Sequence, residues 1–208
     1  MTILSRRTLL IGAGAALALP GYGRISADPA PPVPAPGKAG KLIAAARAQI
    51  GVTTRYDPTY TALPFPGGDV PNDRGTCTDV VIRAYRDALG LDLQALVNAD
   101  MRSAFAAYPR SWGLKRPDRN IDHRRVPNLE VWLERRGTAL AVPSRAADWR
   151  PGDIFTSRVA GRSPHIGLVS DRRGSDGWHI IHNIGAGTRE EDGLLDWPIS
   201  GRYRWGLG

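Results

Sequence analysis

The chain predicts an α+β domain, with helices first and an antiparallel sheet last. Apolar residues recur at helical spacing up to about Arg136, and from Thr138 onward they alternate in short runs separated by Gly and Pro turns. A run of helices followed by a run of strands is the pattern of that class. The one cysteine, Cys77, falls at the start of a predicted helix in a chain whose first residues read as an export signal.

Taken in order, Ser5-Arg6-Arg7-Thr8-Leu9-Leu10 sets paired arginines ahead of an apolar stretch, Leu9 to Pro20, that ends near Ser26-Ala27. This predicts a twin-arginine-type signal peptide over residues 1–27, a mature chain starting at Asp28, and a periplasmic location. The stretch is shorter than the roughly 20 apolar residues that span a bilayer, so no transmembrane segment is expected in the mature chain. An uncleaved anchor is the alternative. Residues 28–40 are Pro-rich and predict a semi-rigid linker, and residues 41–208, about 170 residues, are enough for one domain with a core.

Within that domain Leu42, Ile43, Ala46 and Ile50 predict a first helix ending at Gly51. Val52 to Arg74 is dense in Pro, Gly, Asp and Thr and predicts a long loop. Thr76 followed by Asp79 is a capping-box spacing that makes Cys77 the first residue of the next helix, with Val80, Val81, Ala84, Ala88 and Leu89 as its apolar stripe and Gly90 as its end. Two further helices are predicted, Asp92 to Tyr108 and Pro127 to Arg136. Between them the charged stretch from Asp118 to Pro127 predicts a surface connection able to line a cleft. Strands are predicted at Ala139 to Val142, Asp153 to Arg158, His165 to Ser170 and Trp178 to Ile184, with an edge strand at Tyr203-Arg204-Trp205.

The formal charge is +8; losing Arg6, Arg7 and Arg24 with the signal brings 28 basic residues to 25 against 20 acidic ones. A cell-wall polymer or a phospholipid surface fits such a balance. An aromatic-basic nucleic-acid motif is missing, so nucleic acid is not expected. Nothing in the sequence sets an oligomeric state.

A lone thiol sent to an oxidising compartment has no intramolecular disulfide partner, which points to chemistry; a small buried hydrophobe is the alternative. At a helix N-terminus the unpaired amides and the macrodipole favour thiolate and lower a reference value of about 8.5. His165 shares a strand face with Gly167 and Val169, and the glycine leaves space beside the ring for such a thiolate. A Cys-His pair needs a third polar group, and two sets are open: His182, on the face of Ile180 and Ile184, or His179 with Asn183 on the other. Because His179 and His182 point to opposite faces, they make no zinc pair, and neither metal nor cofactor is expected.

The motifs Gly75-Thr76-Cys77-Thr78-Asp79-Val80-Val81, Trp149-Arg150-Pro151-Gly152-Asp153, Pro164-His165-Ile166-Gly167-Leu168 and Ile180-Ile181-His182-Asn183-Ile184 resemble, in order and spacing, the NlpC-type papain-like cysteine peptidases. More closely, the region from Ile43 to Trp205 is similar to the YijF-type family of exported bacterial proteins of unknown function. The resemblance implies a papain-like fold in which the nucleophile helix packs on the C-terminal sheet. It further implies Cys77 as nucleophile, His165 as general base and His182 as orienting residue, acting on an amide of peptidoglycan stem peptides through an acyl-enzyme. Tyr56, Asp79, Asn120, Asp122, His123, Arg124 and Asn183 are the substrate-binding candidates beside them. A non-catalytic cell-wall-binding module, or an acyltransferase or lipid-directed hydrolase on the same fold, are the alternatives.

Overall fold

The computed structural model describes residues 34–175 and 177–207; the predicted signal peptide and residues 28–33 of the predicted linker lie outside them. Among the described residues four α-helices come first: α1 (Gly37–Arg47), α2 (Cys77–Leu89), α3 (Leu93–Ala104) and α4 (Val126–Arg135). Two short strands, β1 (Arg55–Tyr56) and β2 (Arg74–Gly75), pair in parallel between α1 and α2. The rest is an antiparallel sheet of β3 (Ile154–Val159), β4 (Ser163–Arg173), β5 (Trp178–Asn183), β6 (Thr188–Glu191) and β7 (Ile199–Tyr203), in the order β6-β5-β4-β3-β7. The α+β class read from the periodicity is the class observed. No helix among the described residues is long and apolar enough to cross a membrane.

The sheet separates two apolar clusters. On the helix face Ile154, Ile166, Leu168, Ile181 and Tyr203 meet Leu42 and Ile43 of α1, Val80, Val81, Ala84 and Tyr85 of α2, and Leu129, Trp132 and Leu133 of α4. On the other face Phe155, Val169 and Ile180 are covered by Ala146, Trp149 and Leu194 from the loops. Each such side chain withdrawn from water contributes about 1.5–3 kcal/mol, and the alternation along β4 supplies both clusters from one strand.

Several elements differ from expectation. α1 begins at Gly37, inside the predicted linker, and its last helical residue is Arg47; Ile50 sits in the following turn and is exposed. Residues 139–142 form no strand, only a bridge from Ala139 to Tyr203. β6 was not predicted, because Thr-Arg-Glu-Glu has no apolar alternation. The stretch from Asp118 to Pro127 is not a surface connection: Asp122, His123 and Arg124 form a buried 3₁₀ turn against α3 and α4.

Candidate active site

α2 delivers Cys77. Thr76 precedes it in extended backbone, and the Asp79 carboxylate accepts the Thr76 N–H at 2.6 Å and its hydroxyl at 3.1 Å, so the reach-back half of the predicted capping box is formed. Gly90, left-handed at φ 66°, ends the helix where expected. Asp79 is held in turn by Arg124, whose Nε and Nη2 donate to its two oxygens at 2.9 and 2.8 Å. That bidentate pair is buried on both sides and pins the 122–124 turn to the start of α2.

The sheet supplies the partner groups. Val169 exchanges backbone bonds with residues 152 and 153 beside β3, at 2.8 Å each. By strand alternation the N–H of Ile166 points the other way, toward β5. The β4–β5 ladder reaches only to Leu168 and Ile181, so beyond it the two strands part. The Cys77 sulfur occupies that opening and takes the Ile166 N–H, together with the first amides of α2, Thr78 and its own. The thiol therefore sits one residue from His165. The space beside Gly167 is not its seat, because the Phe155 ring fills it, with Cε1 2.7 Å from where a Cβ would stand.

His165 of β4 and His182 of β5 are bonded to each other, Nε2 to Nδ1 at 2.8 Å. The other nitrogen of His182, Nε2, lies 2.8 Å from Glu191 Oε1 on β6. Phe155 and Trp197 flank the His165 ring at centroid distances of 6.0 and 6.3 Å, closing its apolar sides. His182 is thus the histidine that reaches His165. Asn183, on the opposite face, donates from Nδ2 to the Gly75 carbonyl at 3.1 Å and ties the end of β5 to β2.

The electrostatics correct one expectation. The N-terminal amides do lower the thiol, but burial and the Asp79 charge outweigh them, and Cys77 is pushed up to about 12. Burial, helped by neighbouring His182, brings His165 down to about 3. His182 is also lowered by burial, against the pull of Glu191. At rest Cys77 is a thiol and His165 a neutral imidazole.

The substrate-binding candidates divide. Tyr56 is half-exposed beside the thiol, its phenol raised to about 12 by burial and by the charges of Cys77 and Asp79. Asn120 accepts the Leu63 N–H and donates to the Tyr60 hydroxyl, on the wall of an open hollow of about 840 Å³ that also includes Lys115, Arg116 and Arg119. Asp79, Asp122, His123 and Arg124 are buried: Asp122 accepts the Asp118 N–H at 2.5 Å and Arg125 at 3.1 Å, and burial lowers His123 to about 4. Of the four, Arg124 and Asp79 join the turn to the start of α2. Sequence reasoning missed Glu191 and Trp197. The Gly185-Ala186-Gly187 turn was the available signal for the hairpin that carries Glu191.

Fold and site together define an α+β domain in which a cysteine at the first position of a helix enters the opening between two strands that carry a hydrogen-bonded histidine pair. The family model described as domain of unknown function DUF1287 matches residues 43–205, and the chain belongs to that family. It is 53% identical over 161 residues, 77% of this chain and 78% of the other, to the uncharacterized protein YijF of Escherichia coli (strain K12). No solved structure matches.

Proposed function

We propose that this protein is an exported thiol hydrolase on a papain-like, NlpC-type fold, cleaving an amide of peptidoglycan stem peptides. The observation that carries the reading is the 2.8 Å bond between His165 Nε2 and His182 Nδ1, made beside a cysteine held at a helix N-terminus. With Nε2 engaged, His165 has Nδ1 left to take the thiol proton. Because thiol and imidazole are both neutral at rest, the proton moves as Cys77 attacks the carbonyl carbon, and the tetrahedral oxyanion finds the Cys77 N–H. Collapse expels the amine, which takes the proton back from His165; water then hydrolyses the thioester and frees the thiol. Tyr56, half-exposed next to Cys77, stands where the bound amide would lie.

The test is incubation of the purified mature protein with muropeptides. New fragments are expected from the wild type and none from Cys77→Ala; identical products from both would remove the catalytic reading. A second reading is favoured by the burial of Cys77, 4% exposed, and by the basic hollow at Lys115, Arg116 and Arg119. In it the domain binds anionic cell-wall polymer without cleaving it, and retention on insoluble peptidoglycan would be the same for wild type and Cys77→Ala.

A further inference from the structure

The histidine pair ends on a carboxylate that no motif marks. Glu191 Oε1 lies 2.8 Å from His182 Nε2, and the next atom pair inward, His182 Nδ1 to His165 Nε2, is also 2.8 Å. An ionised carboxylate only accepts hydrogen bonds, and a neutral imidazole carries one N–H. His182 must then carry its proton on Nε2 and present a bare Nδ1. His165 must donate from Nε2, which leaves the lone pair on its Nδ1.

We infer that Glu191 is the positioning residue of this site: its carboxylate selects the tautomer of His182, through it the tautomer of His165, and so makes His165 Nδ1 the base. This deepens the reading of Cys77 and His165 as an acyl-transfer pair and rests on it. The proton account balances along the chain. Cys77 gives its S–H proton to His165 Nδ1, making an imidazolium that keeps its Nε2–H on His182, and the positive charge is met by Glu191 at the far end. No proton need leave Glu191 or enter it. β6 is built for this by alternation: Glu190 turns to the helix face, where it meets Arg47 and Ser170, and Glu191 turns to the face of His182. The other charges facing the pair are Arg189 beside Glu191 and Asp196 ahead of β7; Asp79, paired to Arg124, acts on Cys77.

Because the Glu191 side chain is 41% exposed, its substitution leaves the core untouched. The experiment is ¹⁵N–¹H NMR of the histidine rings at neutral pH in wild type, Glu191→Gln and Glu191→Ala. The wild type should show His165 and His182 both protonated on Nε2. Glu191→Gln, which keeps an oxygen acceptor, should preserve both tautomers. Glu191→Ala should raise water exchange of the His182 Nε2–H by about tenfold or more. A wild-type His182 protonated on Nδ1, or an exchange rate unchanged in Glu191→Ala, overturns the inference. Muropeptide cleavage is read in parallel. Glu191→Gln loses the charge but not the bond, so it should lower kcat and move the acid limb of the pH profile to lower pH, since a base without its anion is less basic. A merely structural role would leave that limb in place. Ring spectra as expected without Cys77-dependent cleavage would sink the hydrolase reading and keep Glu191. Cys77-dependent cleavage with ring spectra indifferent to Glu191 would do the reverse.

Discussion

Removing Arg124 tests whether the residues around the start of α2 are scaffold or ligand. Arg124 makes two charge-assisted bonds to Asp79, at 2.9 and 2.8 Å, and its Nη2 reaches the Asp57 carbonyl at 3.3 Å. Both side chains are nearly sealed from water, 2% and 3% exposed. Arg124→Ala would leave the Asp79 carboxylate buried without its counter-charge, and breaking such a pair from one side costs about 3–5 kcal/mol. In a domain of this size each kcal/mol moves Tm by about 2–4 °C, so a fall of roughly 10 °C is expected.

Urea unfolding is the assay: the midpoint should drop at constant m, the mark of lost native stability without a change in the denatured state. A double-mutant cycle sharpens it. Asp79→Ala loses the pair and the bond to the Thr76 N–H, yet Asp79→Ala with Arg124→Ala should cost less than the two singles summed, because neither charge is then stranded. If Arg124→Ala unfolds within about 1 kcal/mol of wild type, the pair is not holding α2, and Arg124 returns as a substrate ligand.

Two other perturbations follow from the same geometry. Gly167→Ala places a Cβ 2.7 and 2.8 Å from the Phe155 ring and 2.9 Å from the Ile181 carbonyl, so overpacking should cost about 1–3 kcal/mol of stability by urea unfolding, and a neutral substitution would show that the sheet yields there. Since Cys77 is raised to about 12 and only thiolate is alkylated, its iodoacetamide rate in the free protein should climb about tenfold per pH unit from pH 7 to 10; a plateau beginning near neutrality would mean a preformed thiolate–imidazolium pair instead.

The parts of this molecule that were legible in its sequence are those whose causes are local. The start and end of α2 follow from Thr76, Asp79 and Gly90, within a few residues of what they cap, and β3, β4 and β5 follow from apolar alternation. The 122–124 turn was misread because its charges are neutralised from afar: Asp79 is 45 residues from Arg124, and a charged run with no visible partner reads as surface. β6 failed for the complementary reason. As an edge strand it spends its alternation on two carboxylates, Glu190 toward Arg47 and Glu191 toward His182, so the period-two signal is written in charge, where a hydropathy pattern cannot see it.

The same distinction separates the two halves of the candidate site. Helix capping predicts a cysteine at a positive helix end and, taken alone, a lowered thiol. It says nothing of where β4 and β5 part, and that parting leaves the Ile166 N–H free for sulfur and buries it. Burial reverses the sign of the shift. On the proposed reading a base must then be made available by other means than a standing ion pair, and the hydrogen-bonded order from Glu191 through His182 to His165 would serve with every ring neutral, since it needs only that each proton sit on the right nitrogen before the substrate arrives.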